Sequence, residues 1–262
     1  MGTNVGKANG ITIKSGRELE LMREVGKVVA EAKSVVRDAI KPGVTSKEMD
    51  IVAEETIRSM GAIPSFKGYK PSPSRPFPAT ICFSFNEEIV HGIPGDRVVA
   101  EGDIVSVDFG AILNGFHGDS AFTVGIGTVS QKAQLLMDST RISLNEGIGK
   151  AVPGGRLSDI SHAVQGSAES RGFSVVREYV GHGIGRSLHE EPQVPNYTDM
   201  GPGYGTVLKA GMVLAIEPML NIGTWRTKLL RDGWTVVTAD GELSAHFEHT
   251  VAITNDGPEI LT

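Results

Sequence analysis

Apolar positions along this chain run first on a helical period, then on a strand period, and then do the same again. After Ser15 they fall at Leu21, Met22, Val25, Val28, Val29, Ala32, Val35 and Val36, the i, i+3, i+4 spacing of a helix with one buried face. Ser15 and Glu18 make a capping box at its start, and Lys41-Pro42-Gly43 stops it. Thr45 and Glu48 open a second helix whose stripe is Met49, Val52, Ala53, Thr56 and Ile57, with Gly61 as its C′ residue. The proline-rich stretch from Gly68 to Pro78 reads as a loop. Ile81 to Phe85 is a strand, and a hairpin follows. The second round has helices from Ser130 to Lys150 and Ser158 to Ser170, a strand from Phe173 to Val180, and further strands to the end.

The hairpin has a predictable register. Asn114-Gly115 suits a type I′ turn, which needs φ > 0 at both central positions. A two-residue turn there puts Leu113 opposite Phe116, Gly110 opposite Asp119 and Asp108 opposite Ala121. Asp108 and Asp119 then share a face as diagonal neighbours, roughly 7–8 Å apart between backbones. Gly110 is expected to leave open space between them. Two like charges on an apolar hairpin repel unless a cation sits between them. The plainer alternative, for this stretch alone, is a pair of exposed acids at strand ends.

The repetition reaches single positions. Lys41-Pro-Gly43 answers Val152-Pro-Gly154, Ser59-Met-Gly61 answers Ser170-Arg-Gly172, and His91-Gly-Ile93 answers His182-Gly-Ile184. Glu101 to Asp108 answers Ala210 to Glu217, and Asp119 to Val124 answers Glu248 to Ile253 more loosely. The expected fold is therefore α+β, with two pseudo-symmetric α-α-β-β-β halves, strands closing into a central sheet and helices outside. The halves span about 15–128 and 129–262 of a single domain, after a flexible segment 1–14. A pseudo-twofold axis would bring Asp108, Asp119, Glu217 and Glu248 together, with a histidine beside them. Such a set suits hard to borderline divalent metals. Four acids exceed the needs of one ion, and two ions ~3.5 Å apart bridged by carboxylates are the natural arrangement.

Composition narrows the classes. The net charge of −6, the pI near 5.7 and the lack of a long basic run argue against nucleic-acid binding. Cys82 is the only cysteine, so no intrachain disulfide or thiolate metal site forms, which fits a reducing cytoplasm. No apolar run reaches ~18 residues and no signal peptide opens the chain, so a soluble protein away from the membrane is expected.

Other chemistry-bearing positions remain open on residues alone. Glycines flank His182, allowing close backbone approach. His189 reads as a ligand, a hydrogen-bond donor or a loop residue, and His91 as a site residue or part of a capped turn. Glu87 and Glu88 are expected to be solvated. His249 should alternate away from Glu248, and His117, His162 and His246 are expected at the surface or behind the site. Gly201-Pro-Gly-Tyr-Gly205 is a loop that neither follows a strand nor opens a helix, so it is no phosphate loop.

Asn86-Glu87…His91-Gly-Ile-Pro94, Asp108…Asp119, Gly181-His-Gly-Ile-Gly185…His189-Glu-Glu-Pro192, Glu217-Pro218 and Glu248-His249-Thr250 together resemble the methionine aminopeptidases of the pita-bread metallopeptidase family, in the short bacterial type I form. The resemblance runs from about residue 15 to the end. It implies a curved antiparallel central sheet and two divalent ions (Mn, Fe, Co or Zn) on Asp108, Asp119, His182, Glu217 and Glu248, with Asp119 and Glu248 bridging. A water bridging the ions would attack as hydroxide, His91 and His189 would hydrogen-bond the scissile amide, and Glu217 would shuttle protons. The family's methionine pocket maps onto Tyr69, Phe77, Cys82, Leu188 and Trp234, with Phe66 as a further candidate; each would serve equally as an ordinary core side chain. Lys70 to Pro76 reads as an insertion, and Leu188 replaces a commoner aromatic. The implied activity is removal of the initiator methionine from nascent chains with a small second residue, by a cytoplasmic monomer with room for transient ribosome contact. Two rivals are an Xaa-Pro aminopeptidase or prolidase-like enzyme and a catalytically inactive peptide-binding module.

Overall fold

The computed structural model describes residues 10–71 and 75–262. Helix α1 (Gly16–Ala39) begins at the expected capping box: Glu18 accepts from the Ser15 amide at 3.0 Å, and the Ser15 hydroxyl accepts from the Glu18 amide at 3.4 Å. The same reciprocal pair, Thr45 with Glu48, opens α2 (Ser46–Ser59). Helix α3 (Gln131–Ile148) is capped by Ser130, and α4 (Leu157–Glu169) starts one residue earlier than expected, with Arg156 as its cap. The apolar stripe of α1 is buried, apart from Leu21 and Val35 at its margins. Gly26 lies inside that stripe because a Cβ there would stand 2.1 Å from the Leu261 carbonyl oxygen, where the C-terminal residues cross the helix.

The hairpin adopts the expected register. Strand Ile104–Leu113 pairs with Phe116–Gly125 so that Leu113 faces Phe116, Gly110 faces Asp119 and Asp108 faces Ala121. Asn114 and Gly115 have φ of 52° and 77°. Strand Ile81–Phe85 pairs with the other edge of Ile104–Leu113, placing Cys82 opposite Asp108. The second half repeats this order with different connections: Gly181–Gly183 pairs with Val213–Ile216, which pairs with His249–Thr254. In the first half the second and third strands are joined by the two-residue turn, whereas in the second half residues 217–248 intervene.

Among the described residues the backbone ladders divide into four sheets. The two larger ones meet where Phe116–Gly125 runs beside residues 246–250. Glu248 and Ala121 exchange backbone hydrogen bonds at 3.0 and 3.4 Å, and the Thr250 hydroxyl both accepts from the Asp119 amide (3.0 Å) and donates to its carbonyl (2.8 Å). Thr123 makes the same double contact with His246.

Two expectations need correction. The strand from Phe173 to Val180 is regular only over Ser174–Val175. Val175 and Val176 are both buried, so the alternation of a one-sided strand fails there, and Arg177 turns out to stack on Tyr197 and Trp225, each 4.9 Å from its guanidinium carbon. Of the flexible segment 1–14, residues 1–9 lie outside the described residues, but Ile11 is buried in the core and Lys14 is tied to Glu190 (2.7 Å) and, through its amide, to the Gly211 carbonyl (2.7 Å). Of the Lys70–Pro76 stretch, residues 72–74 also lie outside the described ones.

Helix α2 is fastened to the start of the cavity loop by Glu54, which accepts from Lys67 (2.6 Å), Arg58 (2.8 Å) and Thr80 (3.2 Å). The Lys67 hydrogen bond, with smaller help from Arg58 and Thr80, lowers its pKa to about 2. A depressed carboxylate stabilises the fold fully above its unfolded pKa, and that stabilisation is lost as pH falls towards the folded value. Glu54→Gln should therefore cost about 1 kcal/mol at pH 7 after allowance for solvent screening. Its difference from wild type in urea denaturation should shrink from pH 4.5 downwards. A difference independent of pH between 7 and 3 would refute the ion-pair account.

Candidate metal centre and its cavity

The pleat of the hairpin puts Asp108 and Asp119 on one face, and the seam between the halves brings Glu248 to the same point. Asp119 and Glu248 are 4% and 2% exposed, while Asp108 and Glu217 keep slight exposure on a cavity of about 190 Å³. His182, from the short strand Gly181–Gly183, stands between them: its Nε2 is 3.5 Å from Glu217 Oε1 and 3.9 Å from Asp119 Oδ2. Ligand atoms of Asp119, His182 and Glu248 all lie within 4.8 Å of one another. The glycines beside His182 are required by close packing, since a Cβ on Gly181 would meet the Ala215 carbonyl oxygen at 2.3 Å and one on Gly183 that of Glu191 at 2.2 Å.

The protonation of His182 follows from its neighbour. Nδ1 lies 2.9 Å from the Gly183 carbonyl, which can only accept, so Nδ1 carries the hydrogen and Nε2 presents its lone pair to the carboxylates. Burial pulls its pKa down to about 3, which keeps the ring neutral. Burial pushes the acids the other way. Asp108 rises to about 7, and Asp119, Glu217 and Glu248 rise well above the usual carboxylate range, the repulsion among them adding to desolvation. Asp108 Oδ1, Asp119 Oδ1 and Glu248 Oε1 have no hydrogen-bond partner among the described residues. Buried, mutually repelling carboxylate oxygens facing a histidine lone pair are a donor set that fits divalent cations.

The six expected pocket positions all line the same cavity, together with His91, His189 and Pro71. Phe77 and Trp234 meet edge to face, with ring centroids 5.1 Å apart. Burial and the nearby acids hold the Cys82 thiol protonated. Phe66 corrects the expectation for Gly110: a Cβ on Gly110 would come within 2.5 Å of the Phe66 ring, so the space beside Asp119 is filled by that ring. His91 adopts φ of 60°, a strained backbone for a non-glycine residue. Its ring contacts Tyr179 and Trp234, and burial lowers its pKa to about 4. His189 stands exposed at the rim, 4.3 Å from His182 between ring centroids. Packing around it still lowers its pKa.

Among the remaining histidines, His249 turns away towards Thr262, His162 is exposed and His117 bonds Ser65. His246 is 1% exposed, and its Nε2 lies 3.8 Å from Glu217. Glu88 is not solvated as expected, because it accepts from the Phe85 amide at 2.8 Å and pairs with Arg97. Three groups behind the carboxylates carried no assignment from sequence. Thr250 brackets Asp119, and its i+2 spacing from Glu248 would have placed it on the same face. Asn196 donates to the Glu217 carbonyl at 3.1 Å. Lys33 of α1 donates to Ser120 Oγ at 2.6 Å, and Ser120 donates to the Glu248 carbonyl at 2.7 Å. The i, i+3, i+4 stripe of α1 marks Ala32 and Val36 as inward but says nothing of Lys33.

The sequence model of metallopeptidase family M24 matches residues 20–255. A methionine aminopeptidase of Bacillus subtilis is 54% identical over 252 residues, covering 96% of this chain and 99% of that protein. The crystal structure of a methionine aminopeptidase from Thermotoga maritima, 47% identical, superposes with a TM-score of 0.92 over 96% of this chain and 99% of that one. A prolidase from Pyrococcus furiosus, 22% identical with a TM-score of 0.75 over 95% of this chain and 65% of that one, shares the fold.

The carboxylate cluster yields a thermal test. Glu248→Gln removes one of four buried carboxylates whose ionised forms burial disfavours, so the metal-free variant should melt no lower than metal-free wild type. Mn(II) at about 100 times its Kd should raise the wild-type melting temperature by about 5–10 °C and the variant's by much less. An equal shift in both proteins would show that the ion binds elsewhere.

Proposed function

The chain belongs to metallopeptidase family M24, on its methionine aminopeptidase branch, and from that premise we propose that it removes the initiator methionine from nascent polypeptides whose second residue is small. Its two halves form the family's pita-bread fold, and it is a hydrolase. The observation that carries the reading is one cavity whose wall is apolar and aromatic on one side and made of buried carboxylates on the other. An unbranched thioether suits the first surface, and the scissile amide would lie against the second.

Asp108, Asp119, His182, Glu217 and Glu248 would hold two divalent ions of the Mn, Fe, Co or Zn class. When bound, such ions supply Lewis acidity and lower the pKa of a water towards neutrality. The chain's own groups do the rest. Phe77 and Trp234 pack the methionine side chain, with Cys82 and Phe66 at its sides. His91 and His189, both neutral at pH 7, offer N–H groups to the amide as its oxygen gains charge. Glu217 has one oxygen near His182 and the other near His246, and in this reading it would take the proton from the attacking water and pass it to the departing amine. The enzyme would act as a cytoplasmic monomer meeting chains as they leave the ribosome. No helix among the described residues is long and apolar enough to cross a membrane.

Metal-stripped protein given Mn(II), Co(II), Fe(II) or Zn(II) in turn should release methionine from Met-Ala-Ser and leave Ala-Pro intact. Asp108→Asn should lower that turnover by at least about 100-fold with an unchanged circular dichroism spectrum. Cleavage of Ala-Pro alone would move the enzyme to proline peptidases. Full metal loading with neither substrate cut would mark a binding module.

A further inference from the structure

Tyr69 lines the cavity, but its hydroxyl makes a contact that side-chain binding does not need. Its Oη lies 2.6 Å from His189 Nδ1, with the two rings 5.3 Å apart and tilted by 53°. Both partners are held from behind. The Tyr69 amide donates to the Phe66 carbonyl, and the Phe77 amide to the Tyr69 carbonyl, each at 2.8 Å; the Gly68 amide closes the loop onto Phe77 at the same distance. On the other side Leu188 is buried, and Glu190 is clamped by Lys14 and Thr12 and accepts from the Ser187 amide. The His189 backbone therefore has little freedom on either flank.

A neutral imidazole has one donor and one acceptor nitrogen, and its neighbours decide which is which. A phenol is a far stronger acid than a neutral imidazole N–H, so in a short contact between the two the phenol gives the hydrogen. Burial raises the Tyr69 pKa further, which keeps that hydrogen in place. With Nδ1 accepting, the ring hydrogen must reside on Nε2, on the far side of the ring from Tyr69.

We propose that Tyr69 is a positioning residue that locks His189 in its Nε2–H tautomer, so that His189 can donate to the substrate's amide oxygen as that oxygen gains charge. The inference rests on the reading of His189 given above. It also gives the loop from Phe66 to Phe77 a second task, because the same hydroxyl that edges the apolar slot sets the donor beside the reacting bond. Without the phenol, the two tautomers of His189 would mix, and only one has the hydrogen on the required nitrogen.

Tyr69→Phe keeps the ring and removes the hydroxyl. On the metal-loaded enzyme with Met-Ala-Ser, kcat should fall about tenfold, a share of what a positioned donor provides, while KM stays within about twofold. His189→Gln should lower kcat further, and the double variant should be no slower than His189→Gln alone. In the Zn(II)-loaded protein at pH 8, ¹⁵N resonances should show His189 Nδ1 unprotonated and Nε2 protonated in wild type, and exchange between the two forms in Tyr69→Phe. A Tyr69→Phe variant altered in KM alone, multiplicative losses in the double variant, or the same ¹⁵N pattern in both proteins would overturn the inference. An unchanged kcat in His189→Gln would overturn the reading of His189 itself. A normal loss there, with Tyr69→Phe fully active, would overturn only the tautomer lock.

Discussion

Four carboxylates buried around one point are the constraint on which this structure turns. Moving a charge out of water is costly, and like charges at short range add to the cost. Here Asp119 and Glu248 are almost wholly enclosed; desolvation raises all four acids, and repulsion from neighbouring carboxylates adds to it at Asp119, Glu217 and Glu248. A chain left with that arrangement alone would relax by spreading the acids apart or exposing them. It can do neither, because each acid sits on or beside a strand whose neighbours are fixed. Divalent cations convert the repulsion into attraction, so the rigidity that makes the metal-free cluster unfavourable is what preorganises it for ions.

That rigidity is concentrated at the seam between the halves. Asp119 lies on a first-half strand and Glu248 on the second-half segment beside it, and the bonds joining them are unusually specific. Thr250 grips both the amide and the carbonyl of Asp119, and Glu248 and Ala121 pair through their backbones. Helix α1 reaches the same place through Lys33 and Ser120. The Lys33 charge lowers the Glu248 pKa against burial and three acids. A hydroxyl between a lysine and a carbonyl has one hydrogen to give, and the order Lys33 to Ser120 to Glu248 uses it without conflict.

The elements governed by local chemistry were legible in the sequence. Capping boxes at Ser15 and Thr45 name their own helix starts, and Asn114-Gly115 sets a register from which every opposed pair in the hairpin follows. The pseudo-symmetry placed Asp108 with Glu217 and Asp119 with Glu248, because a repeat carries spatial information that a single motif lacks. What was not legible depends on contacts between distant segments. Gly110 looked like empty space, yet the Phe66 ring fills it, and no pairing rule connects a loop residue to a strand glycine. Lys14, near the start of the chain, meets Glu190 through a contact with no periodicity behind it. The strand beginning at Phe173 stops after Val175 because Val176 is captured by a small apolar cluster shared between the halves, with Ile89, Val90, Met219 and Val236, and Arg177 by two aromatic rings, a tertiary demand that overrides β-propensity.

Symmetry and its breaking divide the labour of the site. The paired strands of the two halves run in the same order and carry Asp108, Asp119 and His182, while Glu217 and Glu248 stand at the two ends of the second-half excursion, each directly beside one of these strands. None of the aromatic residues on the cavity wall comes from those equivalent strands. Phe66, Tyr69 and Phe77 belong to the loop before the first strand, and Trp234 to the excursion 217–248, which replaces the two-residue turn of the first half. That excursion is anchored back on the first half, where Val236 and Val237 pair with Val90 and Glu88, and it thereby brings Trp234 against Phe77 and His91. A strictly symmetric protein of this design would leave its carboxylates in an open trough without an aromatic wall. The departures from the repeat close one side of that trough with aromatic rings, so the carboxylates gather on and beside the strands the halves share, and the apolar wall comes from segments the halves do not share.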